Sequence, residues 1–585
     1  MATLRRSSFR SSFLSVHARL FTTTITNSTI VVGMGVAGAT TALTSAKATI
    51  LTASKINDCN SYWAQGGIIY RDGDPPSTSS SSSLPTLNES LFTDIVKAGG
   101  GLHVDTNVPG ASPGRTSAAI KLATYGEPTV TALLVKSNVV NFDKADSKGS
   151  ADSSSSLAYC LEGGHSAPRI IHVGDETGRY ITEGLSRECV SAPHVEIKEH
   201  TVVTDLVWGK QKQVVGVDIL NTLTNERGRM LTSSGVVLAS GGYGNIYAES
   251  TNPSRGTFNA LGNSLALAIR SDVGVKTAGL EYVQFHPTAV DSKYLGDSGG
   301  NFLVSEALRG AGAVLNDEDN GVVNRGELSP RDMVARAINN KRMETGEPVY
   351  IYAGHITDVD VVKRFPSITK TLKSRYGLDL ATDLIPITPS SHYTCGGVST
   401  CDDGKCYDEA TGESIDGLFC VGEAASTGLH GGNRLASTSL LEGVVWGSSV
   451  GALVSEIEVE VDFDVEQQQQ QQQQQPAEDA AKTNKTEQQL IDEAKEILAN
   501  VREIMSRDVS VVRTTSQLVR ATSELREYQI RGEQAWREGI TIKNSQVGEF
   551  LQTLAMARDV SSVAVVVAFT ASANRTSAGG HFISN

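Results

Sequence analysis

The 585-residue chain contains no uninterrupted apolar run of 18 or more residues, so the sequence predicts no membrane span. Cysteine is scarce: there are seven, an odd number, with no CxxC spacing. Cys401 and Cys406 lie close together, but no second couple completes a tetrahedral zinc set, and no metal site is expected. Free thiols in a reducing compartment fit this usage. Positive charge is outnumbered, 51 Lys and Arg against 65 Asp and Glu, for a net charge of −14. Such a balance excludes an electrostatic nucleic-acid binder. Acidic residues are missing altogether before Asp58, while Arg5, Arg6, Arg10 and Arg19 stand among many Ser and Thr. A basic, hydroxylated, acid-poor start without a long apolar core reads as an organelle transit peptide over residues 1–27, outside the fold, rather than a secretion signal. A disordered basic tail is the alternative, and mitochondrion and plastid are not separated by these features.

The remaining length suits two or three domains. Residues 28–52 read strand, glycine turn, helix, strand: Thr29-Ile30-Val31-Val32, then Gly33-Met34-Gly35-Val36-Ala37-Gly38, then Ala39 to Ala46, then Ala48-Thr49-Ile50-Leu51. In a GxGxxG turn the first glycine permits the tight bend, the second lets backbone approach a pyrophosphate, and the third lets helix and strand pack. The phosphate then sits on the N–H groups that open the helix. The second strand runs into Thr52-Ala53-Ser54-Lys55 without an acid for a ribose, which points to Lys55 near the adenosine end. Further strands are expected at 195–197, 202–207, 214–217 and 235–239, the last leading into a second glycine turn, Ser240-Gly241-Gly242. Pro75 to Pro85 and residues 144–156 read as surface loops, and the glutamine run Gln467 to Gln475 as a solvated linker. Beyond it, Leu490, Ala494, Ile497, Leu498, Val501, Ile504 and Met505 keep helical spacing, and a further apolar helix is expected near 548–570.

Chemistry concentrates in two later segments. One holds Gln284-Phe285-His286-Pro287-Thr288 and Ser329-Pro330-Arg331-Asp332; the other holds His392-Tyr393-Thr394-Cys395-Gly396-Gly397, Gly422-Glu423 and Gly428 to Arg434. Three histidines (His286, His392, His430) and two arginines (Arg331, Arg434), set among turn residues, make a site for a small dianion. Joined to the nucleotide turn, they point to a flavoenzyme acting on a C4 dicarboxylate. A lone histidine such as His172 reads instead as a structural residue.

These motifs resemble the succinate dehydrogenase/fumarate reductase flavoprotein superfamily, and within it the L-aspartate oxidase family. The resemblance covers residues 28–455 and, more weakly, the helical tail. It rests on Ser61-Tyr62-Trp63-Ala64-Gln65-Gly66-Gly67, Glu162-Gly163-Gly164-His165-Ser166, Gln284 to Ala289, Ser305-Glu306-Ala307-Leu308-Arg309-Gly310, Arg331 to Ala337, His392 to Val398 and Gly428 to Glu442. Dehydrogenases of the superfamily attach flavin through a histidine where this chain has Asn60, so the resemblance implies non-covalent FAD. They carry an apolar aromatic where this chain has Glu162, whose carboxylate suits the ammonium of an amino acid and would be an uncompensated charge facing succinate.

The fold implied is α/β: a Rossmann-type FAD-binding domain (28–278 and 394–455) interrupted by an α+β capping domain (279–393), then a Gln-rich linker (456–485) and a C-terminal helical domain (486–585). The activity implied is oxidation of L-aspartate to iminoaspartate, with O2 (giving H2O2) or fumarate as acceptor, ahead of quinolinate synthase in NAD biosynthesis and open to channelling towards it. Plant-type members of the family favour the plastid stroma. Arg434, His392 and His286 would hold the carboxylates, Arg331 would carry a proton, Glu162 would pair with the amine, and Ser305 beside Glu306 would donate to substrate. Met34 to Ala37 would touch pyrophosphate, Asn60 to Gly67 the isoalloxazine side, Glu423 the ribityl hydroxyls, and Ser439 and Leu440 the N1–O2 edge. Three departures stand out: Leu161 where the family has Arg, the run Leu261-Gly262-Asn263-Ser264 for Thr-Gly-Asp-Gly in a flavin-contacting turn, and Ala311 in place of a Glu. A soluble fumarate reductase or succinate dehydrogenase flavoprotein, or an inactive FAD-binding relative, are the alternatives.

Overall fold

Thr29–Val32 and Ala48–Leu51, short runs of mostly apolar residues, are buried at every position and so are not half-solvated strands; they belong inside a parallel sheet. In the computed structural model, which describes residues 22–72, 85–103, 117–145, 157–253, 258–271, 273–297, 300–316, 329–462, 485–542, 545 and 548–584, they form its centre. The six-stranded sheet runs Lys405–Tyr407, Ser414–Cys420, Val236–Leu238, Thr29–Val32, Ala48–Leu51, Val195–Lys198, parallel except for its first strand. Helices Val36–Thr44 and Thr438–Val454 cover it; the small residues Ala37, Gly443, Gly447 and Gly451 bring them into near backbone contact.

A second, four-stranded sheet is ordered Thr22–Thr26, Arg227–Thr232, Val214–Asn221, Thr201–Trp208. The expectation that the first 27 residues lie outside the fold is therefore corrected. Thr22–Thr26 pairs in parallel with Gly228–Thr232, because a run of β-branched residues completes the edge that Arg227–Thr232 would otherwise expose. The expected linker is trimmed too: Val459 is buried with Val207, Val215 and Leu231, and Val459 N donates to Ser233 O at 2.7 Å. The rest of the presumed transit segment, most of the loops at 75–85 and 144–156, and the glutamine run lie outside the described residues.

A third sheet, antiparallel, is ordered Val283–Val290, Ile385–Thr394, Val349–Tyr352, Val314–Asn316 and carries helix Arg331–Thr345 on one side. Its first strand is buried at every position, which places Gln284, His286 and Thr288 inside the molecule. Three long helices follow, Glu487–Asp508, Thr515–Gly539 and Phe550–Ala573, the first two opened by capping boxes at Thr486/Gln489 and Thr514/Gln517. Phe550–Ala573 is long and apolar enough to cross a membrane by length and composition, yet it is mostly buried. It shares one apolar core with Tyr243, Tyr247, Val283 and Phe285, so the helices buttress the strand that carries His286.

Candidate active site

The glycine turn behaves as its spacing requires. Gly33 has φ +104°, and a Cβ there would meet Ala239 O at 2.5 Å; a Cβ on Gly38 would meet Gly33 O at 2.1 Å. Val36 N donates to Ser61 Oγ at 3.2 Å, tying the turn to the segment Asn60–Trp63. From this turn one continuous cavity extends along the ends of the parallel strands to His286, Ser305, Glu306, Arg331, His392 and Arg434. Met34, Gly35, Val36, Ala37, Asn60, Ser61, Trp63, Ala64, Gln65, Gly66, Gly67, Glu423, Ser439 and Leu440 also line it.

The cationic end is built by three elements. His286 lies on the buried first strand of the antiparallel sheet and His392 near the end of its neighbour; their rings meet edge to face, 5.0 Å apart. Thr288 N donates to His286 Nδ1 at 3.3 Å, which leaves Nε2 as the protonated nitrogen. Thr251 Oγ1 pairs with His392 Nδ1 at 2.8 Å, and Arg434 Nη2 reaches His392 Nε2 at 3.3 Å. Burial, and after it the charge of Arg331, holds both imidazoles well below their usual pKa, so both are neutral at physiological pH; His286 can donate through Nε2, while His392 Nε2 accepts from Arg434. Arg434 lies 4.4 Å over the Tyr393 ring and donates to Ser439 Oγ at 2.9 Å; its Nε has no partner among the described residues. Burial, with Arg331 adding to it, brings its pKa down to about 10, so it stays charged.

Arg331 opens its helix and does not pair with the adjacent Asp332, which bonds Arg336 instead. It donates to Glu306 through Nε and to Gln284 Oε1 at 2.9 Å through Nη1. Glu306 also accepts from Arg309 at 2.8 Å. Burial alone would raise the Glu306 carboxyl, but Arg309 and Arg331 outweigh it and keep the group ionised. A buried carboxylate thus sits between two buried guanidinium groups.

Glu162 is 2 % exposed. Ser437 Oγ donates to its Oε2 at 2.6 Å, while Oε1 has no partner among the described residues. Burial raises its pKa; neighbouring Glu306 adds to this, and Arg331 and Arg434 oppose it. A buried carboxylate oxygen without a partner is costly unless a donor arrives with a ligand. Asn60 Oδ1 and Gln65 Oε1 are likewise without partners on the cavity wall. Glu423 accepts from Thr394 N at 3.0 Å, and burial pushes its carboxyl up to about 7. Helix Thr438–Val454 begins beside them with no acid in its first turn and no side-chain cap, leaving its first N–H groups for a ligand. The glycine turn, the orphaned amide oxygens and this helix start fit a flavin dinucleotide along the cavity.

Not every expected residue arrives. Lys55 is exposed and outside the lining, because the chain turns at Asn57 (φ 72°) and presents Asp58 instead. Tyr62 points away, its hydroxyl bonding Glu183 at 3.3 Å beneath Arg179. Gly38 serves packing alone. Asn263 lines the cavity, but its amide donates to Val203 O at 3.0 Å and Asp559 at 2.9 Å, anchoring the last long helix. Ser305 caps its helix, accepting from Ala307 N at 3.2 Å, so its hydroxyl proton is what it can offer a ligand. His430 is turned away into a bond with Glu442 at 2.9 Å, and Glu442 also accepts from Tyr393 Oη at 3.0 Å. His172 pairs with Asp143 at 2.9 Å, as a structural histidine does.

Sequence reasoning missed Gln284, Thr251 and Ser437 as site residues. Gln284 donates to Arg434 O and Asn433 Oδ1, both at 2.8 Å, while accepting from Arg331. Its signals were its place at the start of the Gln284 to Ala289 motif and two residues before His286, on the same strand face, but neither gave it a role. Thr251 and Ser437 act through single hydroxyls on turns and carry no spacing signal.

Comparison with known proteins gives a consistent result. Residues 28–440 match the family described as FAD binding domain. The L-aspartate oxidase of Halobacterium salinarum is 32% identical over 95% of this chain and 96% of its own. The L-aspartate oxidase of Clostridium acetobutylicum is 36% identical over 71% of this chain and 85% of its own. The chloroplastic L-aspartate oxidase of Arabidopsis thaliana is 31% identical over 86% and 73% respectively. Among solved structures, a point mutant of the E. coli quinol fumarate reductase subunit FrdA superposes with a TM-score of 0.77 at 22% identity, covering 97% of this chain and 92% of that one. This last likeness establishes the shared fold.

Proposed function

Because the chain belongs to the L-aspartate oxidase family of FAD-binding proteins, we propose that it oxidises L-aspartate to iminoaspartate at the cationic end of this cavity. The observation that carries the reading is Glu162: a buried carboxylate oxygen without a partner beside the cationic wall of Arg331 and Arg434. A dicarboxylate alone would repel it; a dicarboxylate bearing an ammonium group satisfies it.

FAD, held non-covalently because Asn60 offers no attachment point, supplies the hydride acceptor. Met34 to Ala37 and the start of helix Thr438–Val454 bind its charged groups, and Glu423 its ribityl hydroxyls. Arg434 takes one substrate carboxylate in a bidentate fork, its guanidinium steadied by neutral His392, whose Nε2 accepts from it. His286, Ser305 and Arg331 take the other. Clamped at both ends, the α-carbon presents one C–H bond in a fixed direction. Loss of hydride from the α-carbon and of one proton from the ammonium group converts CH–NH3+ to C=NH2+. Glu162 holds the ammonium group and receives that proton, a task suited to a carboxyl whose pKa burial has raised. Arg331, Glu306 and Arg309 return protons when fumarate is the acceptor; O2, giving H2O2, is the other acceptor.

The chloroplastic relatives from Arabidopsis thaliana and Nicotiana tabacum support import into a plastid, with the presequence ending before the strand Thr22–Thr26. The capping unit over 279–393, the helical unit after residue 486 and supply of a quinolinate-forming enzyme belong to the same reading.

Incubation with L-aspartate and O2 tests it: oxaloacetate, from hydrolysis of the imine, and H2O2 form in equal amounts. Arg331→Leu abolishes both. Product formation unchanged in that variant would mean that the activity does not arise in this cavity.

A further inference from the structure

Arg331, Arg434 and His286 stand on three separate elements. The cationic end exists only while the helix Arg331–Thr345, the loop leading to Arg434 and the strand Val283–Val290 keep their spacing. Each of the three is tied to one short segment that follows the last long helix, residues 574–584. That segment turns sharply at Gly579, whose φ is +53°: Ala578 N donates to His581 O at 2.8 Å, and His581 N donates to Ala578 O at 3.0 Å. The tip of the turn meets the loop. Gly580 N donates to Gly432 O at 2.8 Å, while Gly432 N donates to Gly99 O at 3.0 Å, so Gly432 is held from both sides two residues before Arg434. The approach leaves no room for side chains. A Cβ on Gly579 would meet Gly432 O at 2.1 Å, and one on Gly580 would meet Val283 O at 2.6 Å, where the strand begins.

Arg336 ties the helix, five residues after Arg331. Its Nη1 donates to Gly579 O at 2.9 Å, its Nη2 donates to Asp332 at 2.8 Å, and its guanidinium lies 5.1 Å over the Phe582 ring. The strand is tied at its approach. Asn574 Nδ2 donates to Glu281 Oε1 at 2.8 Å, and the buried Arg513 donates through Nη1 to Glu281 O at 2.9 Å and to His581 Nδ1 at 2.7 Å. Burial, and after it Arg513, brings the His581 pKa down to about 4, so the ring stays neutral and accepts from Arg513. Arg513 N also donates to Phe582 O at 3.0 Å, and Ser584 N to Arg513 O at 2.7 Å.

We propose that the turn at residues 578–581 is a strap that sets the spacing of the carboxylate-binding groups. The inference rests on the aspartate reading above. Gly579, Gly580 and Arg336 lie outside the cavity lining and are positioning residues: they act through Gly432 on Arg434, and through the helix on Arg331. A displacement of about 1 Å in such a clamp costs about 100-fold in rate, so a small loss of register is enough to be felt.

The test uses the holoprotein, with rates expressed per mole of bound flavin. Gly579→Ala, whose methyl group pushes Gly432 away, retains FAD and raises KM for L-aspartate at least about tenfold. Arg336→Ala raises KM less, and Arg336→Lys, which can still donate to Gly579 O, restores it. Hydrogen exchange followed by mass spectrometry speeds up over residues 428–434 in Gly579→Ala and Arg336→Ala and stays unchanged over the helix Val36–Thr44. A merely structural role would lower the yield of holoprotein and leave KM per bound flavin unchanged. The Arg336 pair decides the matter if Gly579→Ala fails to fold. Wild-type KM in folded Gly579→Ala, or in Arg336→Ala, overturns the strap, as does unchanged exchange over residues 428–434. Absence of L-aspartate turnover by the wild-type chain would instead sink the reading on which the strap rests.

Discussion

Replacing Glu162 by Gln separates amine recognition from dicarboxylate recognition. The amide has the size of the carboxylate, and its oxygen can still accept from Ser437, which now bonds Glu162 at 2.6 Å. Its NH2 group then takes the place of the oxygen that has no partner and faces the substrate ammonium group donor to donor. A hydrogen bond to a charged group contributes about 1.5–3 kcal/mol, and stranding a buried charge costs about 3–5 kcal/mol. The second figure already includes the lost bond, so a loss of about 3–5 kcal/mol lowers kcat/KM for L-aspartate by about 150- to 5,000-fold. Fumarate has no amine, so its reduction by the same variant, with a reduced dye as donor, changes by less than about threefold. Wild-type kcat/KM for aspartate also carries an acid limb above the usual glutamate range, because burial raises the Glu162 carboxyl, and the variant lacks it. Equal losses for aspartate and fumarate would refute the amine-binding role, as would aspartate turnover within about threefold of wild type.

Other consequences follow from single contacts. Glu423 is raised from 4.5 to about 7, so its contribution to apoprotein stability is fully present below pH 4.5 and is lost as pH rises through 7. The gap corresponds to about 3 kcal/mol, and urea melts from pH 4.5 to 8 show a correspondingly shallower decline in Glu423→Gln than in the wild-type chain. Gly33→Ala abolishes flavin binding, because the new methyl group meets Ala239 O at 2.5 Å in a backbone conformation that disfavours it; retained flavin absorbance after gel filtration would contradict this. Deleting residues 1–27 lowers the melting temperature relative to deleting residues 1–21, since only the longer deletion removes the Thr22–Thr26 strand; equal melting temperatures would show that this strand contributes nothing.

How much of this was legible in the sequence depends on the scale of the signal. The α/β class, the glycine turn and the long C-terminal helices follow from periodicity and glycine spacing over ten or more residues, and Phe550–Ala573 falls close to the expected 548–570. The ionisable groups His286, His392, Arg331, Arg434 and Glu162 were readable because each stands in a motif, and the fold brings them to one cavity. What escaped depended on one backbone angle or one hydroxyl. The left-handed Asn57 exchanges Lys55 for Asp58 at the cavity wall. The Thr22–Thr26 strand escaped because a Thr-rich tail at the start of a chain looks the same whether or not an open sheet edge waits for it. His430 looked like part of the dianion site, but its ring is taken by Glu442, twelve residues further along the chain.

The most direct test of the central claim is anaerobic mixing of the purified holoprotein, lacking residues 1–21, with L-aspartate or succinate while flavin absorbance is followed. The flavin band bleaches with L-aspartate and stays unchanged with succinate if Glu162 demands an ammonium group on the dicarboxylate. Bleaching by succinate, or an unchanged band with L-aspartate while fumarate reoxidises chemically reduced flavin, would contradict the account and make the cavity a fumarate/succinate site.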